Sequence, residues 1–308
     1  MRRGLVLFAL VLAAGCGGSS KPASFANPVL GQDFPDPFLL KDGGTYYAYA
    51  TNGAGKQVQT ATSKDLAHWT PGPDALPQVA PKWGYNGATW APEVMKIGKR
   101  FVLYYTSSQK IGRAVATTPL GPFRDGSAKP LVDQLPLGGS IDASPFRDDD
   151  GSLYLYWKND GNAIGKETDI WVQKLSRDGL RVVGPPKQTG EKNDQVWEGA
   201  VVEGPTMWKH DGRYFLFYSG NDYASDAYAV GYATCSGPLG PCKDAAENPI
   251  LKTGCKAHGP GHNALLESDG QTFIVYHAWR PLHAGDKREL WIDELEWQDG
   301  KPVVDGPC

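Results

Sequence analysis

Apolar and polar positions along this chain alternate in short runs, with no sustained helical period, and one pattern recurs five times. In each copy a short strand-like stretch leads into a tight turn rich in Gly and Asp. A run of alternating aromatic and aliphatic residues follows: TYYAYA, FVLYY, LYLYW, YFLFYS and FIVYH. Two such runs on either side of a Gly/Asp turn predict a β-hairpin. The residue marking the phase of each second run is Tyr46, Phe101, Leu153, Tyr214 and Phe273, at spacings of 55, 52, 61 and 59 residues. A second hairpin follows each time, over Val58–Trp69, Gly112–Phe123, Asp169–Val183, Ala229–Cys242 and Glu289–Val303. A period of this length made only of strands and turns predicts an all-β chain, a five-bladed β-propeller with four antiparallel strands per blade.

The phase makes a further prediction. The first strand of a propeller blade lines the central channel, so equivalent positions face one another there. Eleven residues before the marker stand Asp142, Glu203 and His262 in blades three to five, and Asp36 lies ten before it in blade one. In blade two the same count reaches Trp90, with Glu93 three residues further on. Two Asp, one Glu and one His are therefore expected to converge on the axis. Glycosidic cleavage needs one carboxylic acid to protonate the leaving oxygen and one carboxylate acting on the other side of the sugar. A third carboxylate nearby keeps the acid protonated through like-charge repulsion.

The ends of the chain add a setting. Arg2 and Arg3, the apolar run Leu5–Leu12 and the junction Gly15-Cys16 predict a lipoprotein-type signal over residues 1–16, ending at an acylated Cys16. Residues 17–27, with GGSSKPAS, are expected to form a flexible tether, and 28–308 a single propeller domain. The expected location is exported and lipid-anchored, with membrane contact only through that lipid, and a monomer is expected. Cys235, Cys242, Cys255 and Cys308 allow three pairings in an oxidising compartment; Cys235–Cys242 across SGPLGP with Cys255–Cys308 is favoured. The 34 aromatic residues, 38 Gly and 24 Pro suit a large all-β core with many turns. A net charge of −3 without a basic block offers nothing to nucleic acid.

The motifs Pro35-Asp36-Pro37, Trp90-Ala91-Pro92-Glu93, Ile141-Asp142-Ala143-Ser144 and Glu203-Gly204-Pro205 occur in order and in phase with the five blades. In them the chain resembles glycoside hydrolase family 43, from Asn27 to about Trp297, departing at Ala143 where that family often has Pro. The resemblance implies an inverting glycosidase with Asp36 as general base, Glu203 as general acid and Asp142 tuning the acid. It implies no required cofactor, but a calcium or other ion near the axis, held through water beside His262. Trp90 is expected to stack on sugar. Glu198 and Asp33 are rival carboxylates lying outside the motifs, Arg280 could reach sugar hydroxyls, and Asp148–Asp150 are expected to form a solvated turn.

The expected partner is an oligo- or polysaccharide. The chain ends at Cys308 without the C-terminal β-sandwich that the family's β-xylosidases commonly carry, which favours α-L-arabinofuranosyl linkages, as an arabinofuranosidase or endo-1,5-arabinanase. The alternatives are a β-xylosidase of the same family and a non-catalytic glycan-binding propeller. A retaining, invertase-like enzyme is disfavoured because Phe34-Pro35-Asp36-Pro37 stands where an Asn-Asp-Pro-Asn motif is needed.

Overall fold

The computed structural model describes residues 1, 26–79, 83–280 and 287–307. Among these residues, nineteen strands form five antiparallel sheets in chain order. Blade one is β1 (Phe38–Asp42), β2 (Thr45–Ala50), β3 (Gln59–Ser63) and β4 (Trp69–Pro71); blade two is β5 (Trp90–Ile97), β6 (Arg100–Ser107) and β7 (Lys110–Ala116). Blade three holds β8 (Ser140–Arg147), β9 (Leu153–Asn159), β10 (Asp169–Leu175) and β11 (Val182–Lys192). Blade four holds β12 (Val202–His210), β13 (Arg213–Gly220), β14 (Ala229–Cys235) and β15 (Cys242–Asp244). Blade five holds β16 (His258–Ser268), β17 (Gln271–Trp279), β18 (Glu289–Gln298) and β19 (Lys301–Val304). The outermost strand of blade two is reduced to the bridge between Val115 and Arg124. The five-bladed, four-stranded propeller is thus the observed fold.

The second strand of every blade is apolar on both faces because it is covered on both. Its side chains feed five core clusters, each lying between two successive blades; one joins Tyr49, Leu103 and Tyr105, and another Tyr156, Leu216 and Tyr218. A strand buried on both sides reads as a continuous apolar run, which is why YAYA and FLFYS stand out in the sequence. Blades five and one share a cluster too, through Val275, Ile292, Leu39 and Ala48. The ring is closed by backbone as well: Val29 N–H donates to Leu290 O at 3.0 Å, Phe34 N–H donates to Arg288 O at 2.8 Å, and the Asn27 side chain bonds Ile292 O. The N-terminal segment so completes the edge of the last blade.

Cys235 and Cys242 are disulfide-bonded across the β14–β15 hairpin, as expected. Cys255 is also disulfide-bonded, and its expected partner Cys308 lies outside the described residues. The signal, Cys16 and most of the tether lie outside them as well. Among the described residues no helix is long and apolar enough to cross a membrane. The Asp148–Asp150 turn departs from expectation: Asp149 is exposed, but Asp148 accepts hydrogen bonds from Lys209 Nζ and the Tyr214 hydroxyl, both at 2.8 Å, and ties blade three to blade four.

Candidate active site

The first strand of blades two to five is interrupted near its start. The ladder register breaks between Trp90 and Glu93, Ile141 and Ser144, Glu203 and Thr206, and Gly261 and Ala264. One residue in each break has a left-handed backbone: Ala91 (φ 43°), Asp142 (φ 59°), Gly204 (φ 57°) and His262 (φ 52°), with Asp36 (φ 55°) at the same place in blade one. These are β-bulges, which re-aim side chains. Pro37, Pro92 and Pro205 follow directly, at a position where no ladder bond asks for an N–H. The Asp-Pro, Ala-Pro and Gly-Pro pairs of the motifs are therefore the sequence mark of the bulge. A non-Gly residue held at positive φ is strained, and such strain collects at functional sites.

The bulges correct the phase count by one residue. Asp36, Asp142 and His262 share the left-handed position, but blade four places Gly204 there. Glu203 stands one residue earlier, level with Trp90 and Ile141. Two adjacent rings, not one, therefore face the axis. Both line a cavity of about 330 Å³ that contains Asp36, Trp90, Ile141, Asp142, Glu203 and His262. All five residues expected at the site are brought together. Thr51, Lys158, Asp160, Asn162, Tyr223 and Arg288 complete the wall.

A third ring explains how the bulges are held. The second-strand side chain of one blade catches the bulge N–H of the next. Ala91 N–H donates to Thr51 Oγ1 at 2.8 Å, Asp142 N–H to Thr106 Oγ1 at 3.2 Å, His262 N–H to Ser219 Oγ at 2.8 Å and Asp36 N–H to His277 Nδ1 at 3.1 Å. In blade three this position is Lys158, which cannot accept. Its ammonium donates instead to Glu203 Oε2 at 3.1 Å and to Asn162 Oδ1 at 2.9 Å, and lies 3.4 Å from Asp160 Oδ1. Gly204 N–H, left over, donates to Asp142 Oδ2 at 3.1 Å. One break in the pattern thus supplies a cation to Glu203 and ties Glu203's neighbour to Asp142.

The three carboxylates sit in different fields. Burial alone would raise Asp36, but Arg288 Nη1 at 3.1 Å and His262 Nδ1 at 3.4 Å hold it well below the usual carboxylate range. Thr51 Oγ1 donates to its other oxygen at 2.5 Å, so both oxygens are fixed. Asp33, outside the motif, supports the arginine, since its Oδ1 accepts Arg288 N–H at 3.0 Å. Burial pushes His277 down to about 4, and its Nδ1 accepts the Asp36 N–H, so the imidazole is neutral with its proton on Nε2.

Asp142 is raised to about 6, mainly by burial and by the nearby carboxylates of Glu203 and Asp36, against the pull of His262 and Lys158. Burial pushes Glu203 up too, but Lys158, His262 and the Tyr228 hydroxyl, 2.8 Å from Oε1, hold it down. In the free site the Asp142–Glu203 pair therefore carries its proton on Asp142.

Asp142 also makes the stability of the fold depend on pH. Its folded pKa lies above the ordinary carboxylate value, so the folded state binds this proton more tightly than the unfolded chain. Stability from this group is greatest below about pH 4 and is lost as pH rises to about 6, to a ceiling of about 3 kcal/mol. Asp142→Asn should therefore melt a few degrees above the native chain at pH 8, with the gap closing toward pH 4 in thermal unfolding. An equal gap at both pH values would show that Asp142 is not strained by its charge.

Several candidates are placed elsewhere. Glu198 is fully buried but points to the Tyr218 hydroxyl, 2.8 Å from Oε1, and does not line the cavity. Arg280 forks onto Glu289 at 2.6 and 2.9 Å; the arginine of the site is Arg288. Glu93 lies below the bulges, hydrogen-bonded to Ser144 and raised well above its ordinary value, chiefly by burial. His262 Nδ1 lies 3.4 Å from Asp36 Oδ1, on a carboxylate that Arg288 and Thr51 also engage. Sequence reasoning missed Lys158, Tyr228, Arg288 and Tyr223. The one available signal was Lys158, a charge at the end of an otherwise apolar strand.

A family model described as "Glycosyl hydrolases family 43" matches residues 25–302. The chain is 31% identical over 302 residues to the β-D-galactofuranosidase xynD of Aspergillus niger, covering 90% of this chain and 84% of that protein. A thermostable family-43 glycoside hydrolase superposes with a TM-score of 0.82 at 36% identity, covering 92% of this chain and 96% of the other. A structure described as an endo-1,4-β-xylanase from Bacteroides thetaiotaomicron gives 0.79 at 33% identity, covering 89% and 95%. With the family model matching residues 25–302 and the carboxylates gathered on the propeller axis, the chain belongs to glycosyl hydrolase family 43 and is a glycosidase that hydrolyses glycosyl bonds.

Proposed function

We propose that this chain is an inverting exo-acting glycosidase that removes α-L-arabinofuranosyl residues from plant cell-wall polysaccharide. The observation that carries the mechanism is the placement of Asp36 and Glu203 on non-adjacent blades, one and four, around one cavity. Two carboxyl groups set apart across a sugar leave room for a water between base and anomeric carbon, as inversion requires. Asp36, kept ionised by Arg288, takes a proton from that water as its oxygen attacks the anomeric carbon. Glu203 gives a proton to the leaving oxygen as the glycosidic bond breaks. The proton resting on Asp142 in the free site must stand on Glu203 at that moment, so the pair acts as one reservoir with Asp142 as its tuning member. Lys158 and Tyr228 orient Glu203.

The cavity of about 330 Å³ lies near the small end of ligand pockets, which supports a single terminal or branching sugar over a long groove. A furanosyl unit agrees with the name of one relative, the β-D-galactofuranosidase, and an arabinosyl one with that of a xylosidase/arabinosidase of Butyrivibrio fibrisolvens, 27% identical, of which this chain spans 56%. The xylanase description of the Bacteroides structure supports β-xylosyl linkages as the second reading. We also propose that the chain works as an exported monomer held by a lipid on Cys16.

The test uses the chain from Gly17 on debranched arabinan, arabino-oligosaccharides and xylo-oligosaccharides, with products sized and their anomeric form followed by NMR. Arabinose released with inverted configuration is expected. Xylose alone would replace the substrate, and retention would overturn the roles of Asp36 and Glu203. Trp90, half-buried on the cavity wall, should stack on the sugar. Trp90→Ala is expected to raise KM about five- to tenfold in steady-state kinetics with kcat little changed, the loss of a stacking contact of about 1 kcal/mol. A fall in kcat alone would remove Trp90 from ground-state binding.

A further inference from the structure

A second group of carboxylates lies away from the cavity, where the outer strand of blade three meets blade four. Glu191 on β11, Glu198 in the one-turn helix Val196–Glu198 and Asp244 on β15 each present an oxygen, and these oxygens all lie within 4.8 Å of one another. Glu191 is 2% exposed and Glu198 fully buried, while Asp244 is half-buried and opens the group to solvent. None of the three lines the catalytic cavity.

The fold places them firmly. The turn carrying Glu198 presses on two glycines, and a Cβ would stand 2.8 Å from the Trp197 ring at Gly220 and 2.6 Å at Gly231. The Cys235–Cys242 disulfide clamps the hairpin two residues before Asp244.

What the cluster lacks is positive charge. Among the described residues none of the three forms an ion pair, and Glu191 Oε1 is buried without a hydrogen-bond partner. The Tyr218 hydroxyl is 2.8 Å from Glu198 Oε1 and 2.6 Å from Asp244 Oδ1, but it has one proton to give. Gln195 N–H donates to Glu198 Oε2 at 2.7 Å. Three carboxylates so enclosed either take up protons or bind a cation. Burial, with Asp244 and Glu198 beside it, drives Glu191 up to about 10, and burial drives Glu198 to about 7, the direction expected where a positive charge is missing.

We propose that Glu191, Glu198 and Asp244 form a site for a hard divalent cation of the Ca2+ type, joining blade three to blade four. The donors are all oxygen, with no thiolate or imidazole to favour a softer metal. Oxygens across a Ca2+ ion stand about 4.6–5.2 Å apart, so the observed spread needs no rearrangement of the strands. The unpartnered Glu191 Oε1 is the oxygen the ion satisfies.

The experiment uses chelator-dialysed protein and Tb3+ as a luminescent stand-in for Ca2+. Trp197, whose ring centroid is 5.5 Å from that of Tyr218, lies beside the site as an energy donor. Saturable one-to-one Tb3+ emission, displaced by Ca2+, is expected, with a Ca2+-dependent rise in Tm. Glu191→Gln should lose both signals, and Asp244→Asn, at the half-buried position, should do so in a chain whose fold circular dichroism confirms. His262→Ala should keep them, which separates this site from the axis. Absence of saturable emission and of any Ca2+ effect on Tm would show a protonated acid cluster and overturn the proposal. Emission unchanged in Asp244→Asn would do the same by placing the ion elsewhere.

Discussion

Glu203→Gln is expected to lower kcat/KM on a polysaccharide or oligosaccharide by about a hundred- to ten-thousand-fold, the usual weight of a general acid. A sugar alkoxide is a poor leaving group, so the loss falls on the step in which the proton is delivered. An aryl glycoside with a nitrophenol leaving group needs little protonation and should lose far less. Gln keeps the shape and can still accept from Tyr228, whose hydroxyl donates to Glu203 in the native chain, so oligosaccharide binding by titration calorimetry should persist. In the native chain kcat/KM should fall as pH rises through about 6, where the Asp142–Glu203 pair gives up its proton. This alkaline limb should be absent for the aryl glycoside. An equal loss on both substrates would place Glu203 outside the proton-donating role.

Asp36→Asn is expected to cost about as much, but on both kinds of substrate, because a water must be activated whatever the leaving group. The same change should lower stability, opposite in sign to Asp142→Asn. The folded pKa of Asp36 lies below its unfolded value, so its contribution is present above about pH 4 and lost as pH falls through the depressed folded value. Asn also leaves the Arg288 guanidinium, 3.1 Å away, without its anion. Thermal unfolding at pH 7 should show a lower Tm than the native chain, the difference narrowing in acid. Activity retained on aryl glycosides would remove Asp36 as the base.

The opposite pH signatures of two aspartates at equivalent bulge positions have one origin. The backbone gives Asp36 and Asp142 the same left-handed seat, at φ 55° and 59°. The neighbouring blade then decides their charge: Arg288 and the histidines surround Asp36, whereas Asp142 faces Glu203. A sequence motif reports the seat and not the field.

The five-fold repeat, the blade boundaries and the axial gathering of Asp36, Asp142, Glu203, Trp90 and His262 were all determined by the sequence alone. These are local facts repeated in register, because a doubly covered strand must be apolar throughout and a bulge leaves its mark as Asp-Pro or Gly-Pro. Tertiary structure alone decided the one-residue offset of Glu203, the choice of Arg288 over Arg280, the cation that Lys158 brings to Glu203 and the withdrawal of Glu198 into a separate acidic cluster. Each depends on contacts between different blades, or between a strand and a loop. Side-chain spacing along one chain carries no information on which neighbouring blade will supply a charge, and it is those charges that separate base, acid and tuning residue.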